Sequence, residues 1–167
     1  MTNNDCLRQL RDIQDLDETA MITIFALAEQ QVTPDQMEAL LKEDEDPGFT
    51  ACTDTKLAAF LNGFIIERRG KREGEQPAPE TQLNNNIIFK KLRIAFDLKA
   101  DDILSVLSLA NCQLGKHELG AFFRKPDNRH FRVCSDEVLQ DFLSGLKTIF
   151  READISQDSI TEPDKAS

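Results

Sequence analysis

Residues 49–63 read F-T-A-C-T-D-T-K-L-A-A-F-L-N-G, and residues 131–145 read F-R-V-C-S-D-E-V-L-Q-D-F-L-S-G. Phe49, Cys52, Asp54, Leu57, Phe60, Leu61 and Gly63 thus recur, in order, as Phe131, Cys134, Asp136, Leu139, Phe142, Leu143 and Gly145. The offset is 82 positions throughout. Without a gap it also lays Asn3-Asn4 on Asn85-Asn86, Leu10-Arg11 on Leu92-Arg93, Asp15-Leu16 on Asp97-Leu98 and Leu27-Ala28 on Leu109-Ala110. Self-similarity at one fixed offset means one structural unit used twice.

Each copy reads as four short helices. Leu7, Leu10 and Arg11 follow an Asn pair that supplies candidate N-caps. Met21, Ile24, Phe25 and Ala28 fall at helical spacing. Thr33-Pro34 with Gln36 is a capping box with Pro at the first helical position. Thr53-Asp54 opens the run Leu57, Phe60, Leu61, Phe64, and Ser135-Asp136 opens Leu139, Phe142, Leu143, Leu146 in the same way. No segment alternates with a period of two, so the expected class is all-α, two tandem pseudo-equivalent units of about four helices packed together.

The expected boundaries are 3–69 for the first repeat, 70–83 for a linker, 84–152 for the second repeat and 153–167 for a disordered acidic tail. The linker (G-K-R-E-G-E-Q-P-A-P-E-T-Q from Gly70) is rich in Gly, Pro and charge and has no apolar period. A repeat of roughly 67 residues is small for independent stability, which is the reason to expect the two to pack on each other.

The repeated residues have structural readings that suffice. With Thr53 and Ser135 as caps, Cys52 with Leu57 and Cys134 with Leu139 take the positions of a hydrophobic staple, where Cys serves as a small apolar group. Asp54 and Asp136 lie in the first helical turn, favoured by the helix dipole, and within reach of Arg11 and Arg93. Arg11 with Asp15, and Arg93 with Asp97, are spaced as surface i,i+4 pairs. Gly63 and Gly145 fall mid-helix, where Gly costs about 1 kcal/mol against Ala. They mark close approach of another helix, expected at the contact between repeats.

Of the 167 residues 40% are hydrophobic and 30% charged, the range of a globular chain; there are 11 Phe but no Trp or Tyr. No apolar run reaches membrane-spanning length and no signal peptide opens the chain. Cys6, Cys52, Cys112 and Cys134 are scattered, so a reduced, cytoplasmic setting is expected rather than a disulfide framework. Phosphate-loop, dinucleotide, nucleophile-elbow and zinc-protease motifs are absent, and His117-Glu118 is only half of the last. A Cys134–His130 couple rests on loop spacing alone. The expectation is a protein without catalytic residues, metal or cofactor.

The formal charge of −10 is unevenly spread. Residues 1–83 carry 8 basic and 17 acidic side chains, net −9; residues 84–150 carry 10 and 8, net +2; residues 151–167 carry 2 and 5, net −3. In the second repeat Lys116, Arg124, Lys125, Arg129, His130 and Arg132 gather around the third helix and the loop after it. The same loop of the first repeat is acidic (Glu43-Asp44-Glu45-Asp46). The basic set is the candidate interaction patch, suited to phosphates or to an acidic protein surface, including that of another copy.

The stretches N-N-N-I-I-F-K-K-L-R-I-A-F-D-L-K-A-D-D-I (84–103) and F-L-N-G-F-I-I-E-R-R-G-K (60–71), with the tandem F-x-x-C-x-D-x-x-L-x-x-F-L-x-G, closely resemble the YehS-like family. Its members are small bacterial proteins built from two copies of a domain of unknown function. The resemblance covers residues 3–151 and implies a bacterial cytoplasmic origin and the two-copy architecture; it carries over no activity, cofactor or catalytic residue. The acidic tail looks like an extension beyond the family's usual end.

Two functions lead from the residues, ahead of an enzymatic option that requires a concave pocket containing His117, His130 or Cys134. The first is a non-enzymatic interaction or regulatory protein whose partner is another protein or a second copy of itself. The second is a nucleic-acid-binding regulator in which Lys116 to Arg124 of the second repeat acts as the third helix of a helix-turn-helix. Neither involves a membrane.

Overall fold

A computed structural model describes residues 1–161, with side chains through residue 153. Among these residues there are eight helices and no strand: α1 (Asn3–Gln14), α2 (Glu18–Leu27), α3 (Pro34–Leu41), α4 (Asp54–Arg69), α5 (Asn85–Phe96), α6 (Ala100–Leu109), α7 (Lys116–Phe122) and α8 (Asp136–Thr161). Shifted by 82, α1 and α2 coincide with α5 and α6 residue for residue, and α4 starts where α8 does. The fold is all-α, two four-helix units in tandem.

Local chemistry sets the helix ends. Thr33 accepts from the Gln36 N–H while the Gln36 side chain accepts from Thr33 N–H at 2.9 Å, and Pro34 opens α3. Thr53 and Ser135 cap α4 and α8, each accepting from the N–H three residues on at 3.2 Å. Cys52, Leu57, Cys134 and Leu139 are all buried, as the staple requires. α1 and α5 end on Asp15 (φ 50°) and Asp97 (φ 53°) in the left-handed conformation, where the cap N–H groups bond back to the last turn.

The Asn pairs do not cap. Thr2 caps α1 in a capping box with Asp5, and Asn84 caps α5. Asn3, Asn4, Asn85 and Asn86 lie inside the helices and reach across to the segment before the last helix of their own repeat. Asn4 Nδ2 donates to Leu40 O and Thr50 O, both at 2.9 Å, while its Oδ1 accepts from Cys52 N at 2.9 Å. Asn86 repeats this with Phe122 O, Arg132 O and Cys134 N at 3.1, 2.8 and 3.0 Å. Asn3 and Asn85 donate to Asp54 and Asp136, each at 2.7 Å. Neither Asp pairs with an Arg of helix one. Arg11 bonds Asp12 instead of Asp15, and Arg93 donates to Leu98 O at 3.2 Å with its guanidinium 4.7 Å from the Phe123 ring.

The glycines do mark close approach, but inside each repeat. A Cβ on Gly63 would stand 1.9 Å from Ile24 O of α2, and one on Gly145 would stand 2.2 Å from Val106 O of α6. Only Gly lets α4 cross α2, and α8 cross α6, at that distance.

Between repeats the contacts are reciprocal: α1 packs on α8, and α4 packs on α5. The Asp groups show the same exchange, because Asp54 accepts from Leu83 N at 2.9 Å and Asp136 from the Met1 amine at 3.1 Å. Leu83 is the counterpart of Met1, so each repeat's Asp receives the start of the other repeat. Two copies related by a pseudo-two-fold axis give this pattern. Near the axis Arg68 donates to Ala95 O and Gln14 Oε1 and lies over the Phe96 ring at 4.6 Å. Four buried Phe rings and the half-buried Phe150 run on as a chain, Phe25–Phe60–Phe64–Phe96–Phe150, with successive centroids 5.1 to 6.2 Å apart.

Two segments differ from expectation. The linker 70–83 has no helix and is mostly exposed, yet it is held to the body: Glu80 pairs with Lys91 at 3.0 Å, and Gln76, Pro79, Glu80 and Leu83 are half-buried. Helix α8 continues to Thr161, so 153–161 is helical rather than a disordered tail. Extending an existing helix costs far less than nucleating one, which lets a polar sequence follow the anchored part of α8. Residues 162–167 lie outside the described residues.

Candidate interaction cleft

The site begins with Asn86. By holding Arg132 O and Cys134 N it fixes the segment leading into α8, and Arg132 N donates to Ala121 O of α7 at 3.2 Å. The loop between folds on an Asx turn: Asn128 Oδ1 accepts from His130 N at 2.8 Å, Asn128 N donates to Lys125 O, and Phe131 N donates to Asn128 O. The first repeat makes the identical turn at Asp46, whose carboxylate accepts from Gly48 N at 2.8 Å. The two loops therefore share a backbone and differ in charge.

On this frame His117, Glu118, Ala121 and Phe122 of α7 face Arg124, His130 and Arg132 of the loop across an open cleft of about 410 Å³. Arg129 Nε donates to His130 Nε2 at 3.1 Å and Arg132 Nη1 to Phe131 O at 3.0 Å. Among the described residues Arg124, Lys125, Arg129 and Arg132 have no carboxylate partner, whereas two of the four acidic side chains of the first-repeat loop, Asp44 and Asp46, lie near a cation. There Arg8 binds Asp5 at 2.6 Å and Asp44 at 3.4 Å, and Lys42 lies 3.9 Å from Asp46. Val133, beside Arg132, is 76% exposed. Cationic donors flanking an uncovered apolar side chain suit an anionic partner with apolar character.

Of the basic residues singled out by sequence, Arg124, His130 and Arg132 meet in the cleft. Lys125 and Arg129 stand exposed on its loop, and Lys116 is turned to Asp101 of α6 at 3.1 Å. His117, Glu118 and Val133 were not read as part of the patch. In the sequence His117 is half of a metal motif and a candidate for an enzymatic pocket; His117 and His130 both line the cleft, and Cys134 does not. Among the described residues no cluster of His, Cys, Asp and Glu is arranged to hold a metal. The Cys134–His130 couple does not form: Cys134 is buried, its Sγ facing Ser135 O at 3.5 Å, while His130 is exposed.

The displaced pKa values belong to the frame. Burial pushes the Cys6, Cys52 and Cys134 thiols up to about 12. The Asn3 and Asn85 side-chain amides, with Leu83 N–H and the Met1 amine, hold the Asp54 and Asp136 carboxyls below the usual range.

The family model described as "Protein of unknown function (DUF1456)" matches this chain twice, over residues 3–70 and 85–151. The "Uncharacterized protein YehS" of Escherichia coli (strain K12) is 43% identical over 148 residues, covering 87% of this chain and 94% of that protein. No solved structure matches the chain. Both matched segments coincide with the two helical units, so the chain belongs to the DUF1456 family, to which it is joined through both of its repeats.

Proposed function

We propose that this protein is a non-enzymatic interaction protein of the reduced cytoplasm. In this reading its second repeat docks an acidic protein segment in the cleft between α7 and the loop leading to α8. One observation carries it: two loops built on the same turn, one acidic with Asp44 and Asp46 near Arg8 and Lys42, the other displaying Arg124, Lys125, Arg129 and Arg132 without carboxylate partners among the described residues. The strongly displaced titratable groups all hold the fold together, which supports a binding role over a catalytic one. Four free thiols, three of them buried, support the compartment.

A nucleic-acid reading draws on α7 being exposed at Lys116, His117 and Gly120 in the third-helix position. Glu118 on the same face and the short two-turn helix favour protein. The test is capture from native lysate on immobilised full chain, with and without nuclease, against the Arg124→Glu/Arg132→Glu variant. Capture that resists nuclease and disappears in the variant supports an acidic protein partner. Capture abolished by nuclease moves the assignment to nucleic acid, and capture unchanged by the double substitution removes the cleft from the function.

A further inference from the structure

We infer that the groove between α4, α5 and the linker binds a small phosphate monoester with an aliphatic body. The site is separate from the second-repeat cleft and independent of its reading. The groove is open and has a volume of about 580 Å³, within the range of small-molecule sites. Ile65 of α4, Ile87 and Ile94 of α5 and Pro77 of the linker give it aliphatic walls. Arg69, Lys71, Arg72, Lys90 and Lys91 also line it, with Glu80.

Two of these cations are answered within the chain. Lys91 pairs with Glu80 and Arg69 with Asp97, each at 3.0 Å. Lys71, Arg72 and Lys90 are exposed and have no carboxylate partner among the described residues. In a chain of net charge −10 these cations, gathered at one groove, repel each other and favour a negative ligand between them. The apolar side chains are placed as pointedly as the charges. Ile87, Lys90, Lys91 and Ile94 follow the i, i+3, i+4, i+7 spacing of a single helix face. The core does not absorb the isoleucines of that face: Ile87 is half-buried and Ile94 is 43% exposed.

The pseudo-two-fold relation supplies an internal control, because α8 meets α1 as α4 meets α5. There Lys147, Asp5 and Asp12 stand at the positions of Ile65, Ile87 and Ile94. Arg8, the counterpart of Lys90, binds Asp5 at 2.6 Å, and Lys147 lies 4.0 Å from Asp12. The same pair of helices therefore packs with charged side chains that compensate one another. Packing alone does not call for three isoleucines here, nor for a Lys90 left unanswered. A phosphate monoester answers both features. Its head carries about two negative charges at neutral pH, which suits Lys71, Arg72 and Lys90, and its alkyl part covers the isoleucines.

The test is calorimetric titration of the full chain with octyl phosphate below its micelle-forming concentration. Inorganic phosphate, 1-octanol and octanoate are parallel arms. Saturable binding of octyl phosphate is expected, about tenfold or more tighter than that of each comparison compound. Ile94→Asp, which installs the residue of the other half, and Arg72→Glu/Lys90→Glu should each weaken it about tenfold or more. These side chains are exposed, so the substitutions leave the helices in place. Absence of saturable binding, equal binding of any comparison compound, or binding unaffected by either variant would overturn the assignment. Loss of binding in Arg124→Glu/Arg132→Glu would do the same by moving the phosphate to the second-repeat cleft. Co-sedimentation with phosphatidylcholine vesicles containing phosphatidate would replace the small molecule by a lipid surface.

Discussion

Asn4 and Asn86 each satisfy three main-chain groups, two carbonyls and one N–H, from inside a helix, two of the three bonds being buried. Replacing Asn4 by Ala strips all three at once, and water reaches them only if the segment 50–52 opens. The expected loss is about 2–4 kcal/mol, read from urea denaturation, with a matching loss for Asn86→Ala. Thiol chemistry gives a second test at this scale. Cys6, Cys52 and Cys134 are buried with thiols pushed up to about 12, whereas Cys112 is half-buried. Native protein should react with a thiol reagent at Cys112 alone, and at all four cysteines once unfolded; rapid native labelling of Cys52 or Cys134 would contradict the staple. The acid limb tests Asp54 and Asp136. Their folded pKa values are depressed, so their contribution is full above the unfolded value of ~3.9 and disappears as pH falls through the folded one. The Asp54→Asn/Asp136→Asn variant should lose less stability than the parent between about pH 4 and pH 2, measured as the urea midpoint.

Helices cross where glycine allows it. Gly63→Ala gains about 1 kcal/mol of helix propensity, but it drives a methyl group into the Ile24 carbonyl. The crossing of α4 over α2 must widen, and a net loss of about 3 kcal/mol is expected in thermal or urea unfolding, with Gly145→Ala behaving alike. Both glycines were conspicuous in the sequence because they recur at one register. Which helix approaches them was not, since residue spacing records a missing side chain and not the identity of the neighbour. The Asn pairs show the same limit: an Asn near a helix start fits a cap locally, and only tertiary geometry reveals that it bonds 36 to 48 residues away. Helix number, the staple and the α3 capping box were legible because they rest on contacts within one turn. The cleft was half legible. The charges lay in sequence order, but the turn that points Arg124 inward and leaves Lys125 outside depends on Asn128 and Asn86.

At the level of the whole chain, each repeat is completed by the other. α1 and α4 would lose their partners in an isolated first repeat, exposing Phe64 and the aliphatic part of Arg68. The pseudo-two-fold axis makes self-pairing of one repeat geometrically allowed, but Arg68 opposite Phe150 and Gln14 opposite Phe96 favour the mixed pair. Separately expressed 1–83 and 84–161 should therefore form a 1:1 complex on mixing, displacing any self-associated species in size-exclusion chromatography. Persistence of two unmixed species would show that the interface lacks this selectivity.

The exchange at Asp54 and Asp136 also bears on how the chain can be recut. Because Met1 sits against Asp136 as Leu83 sits against Asp54, the gap from residue 152 back to residue 1 matches the gap that residues 70–83 already span. A second copy of the linker placed after Arg151 is long enough to rejoin Met1, and new ends can then open within the original linker. Chain order is thus interchangeable between the halves, because the pseudo-two-fold relation offers two equivalent places at which the connection can be made.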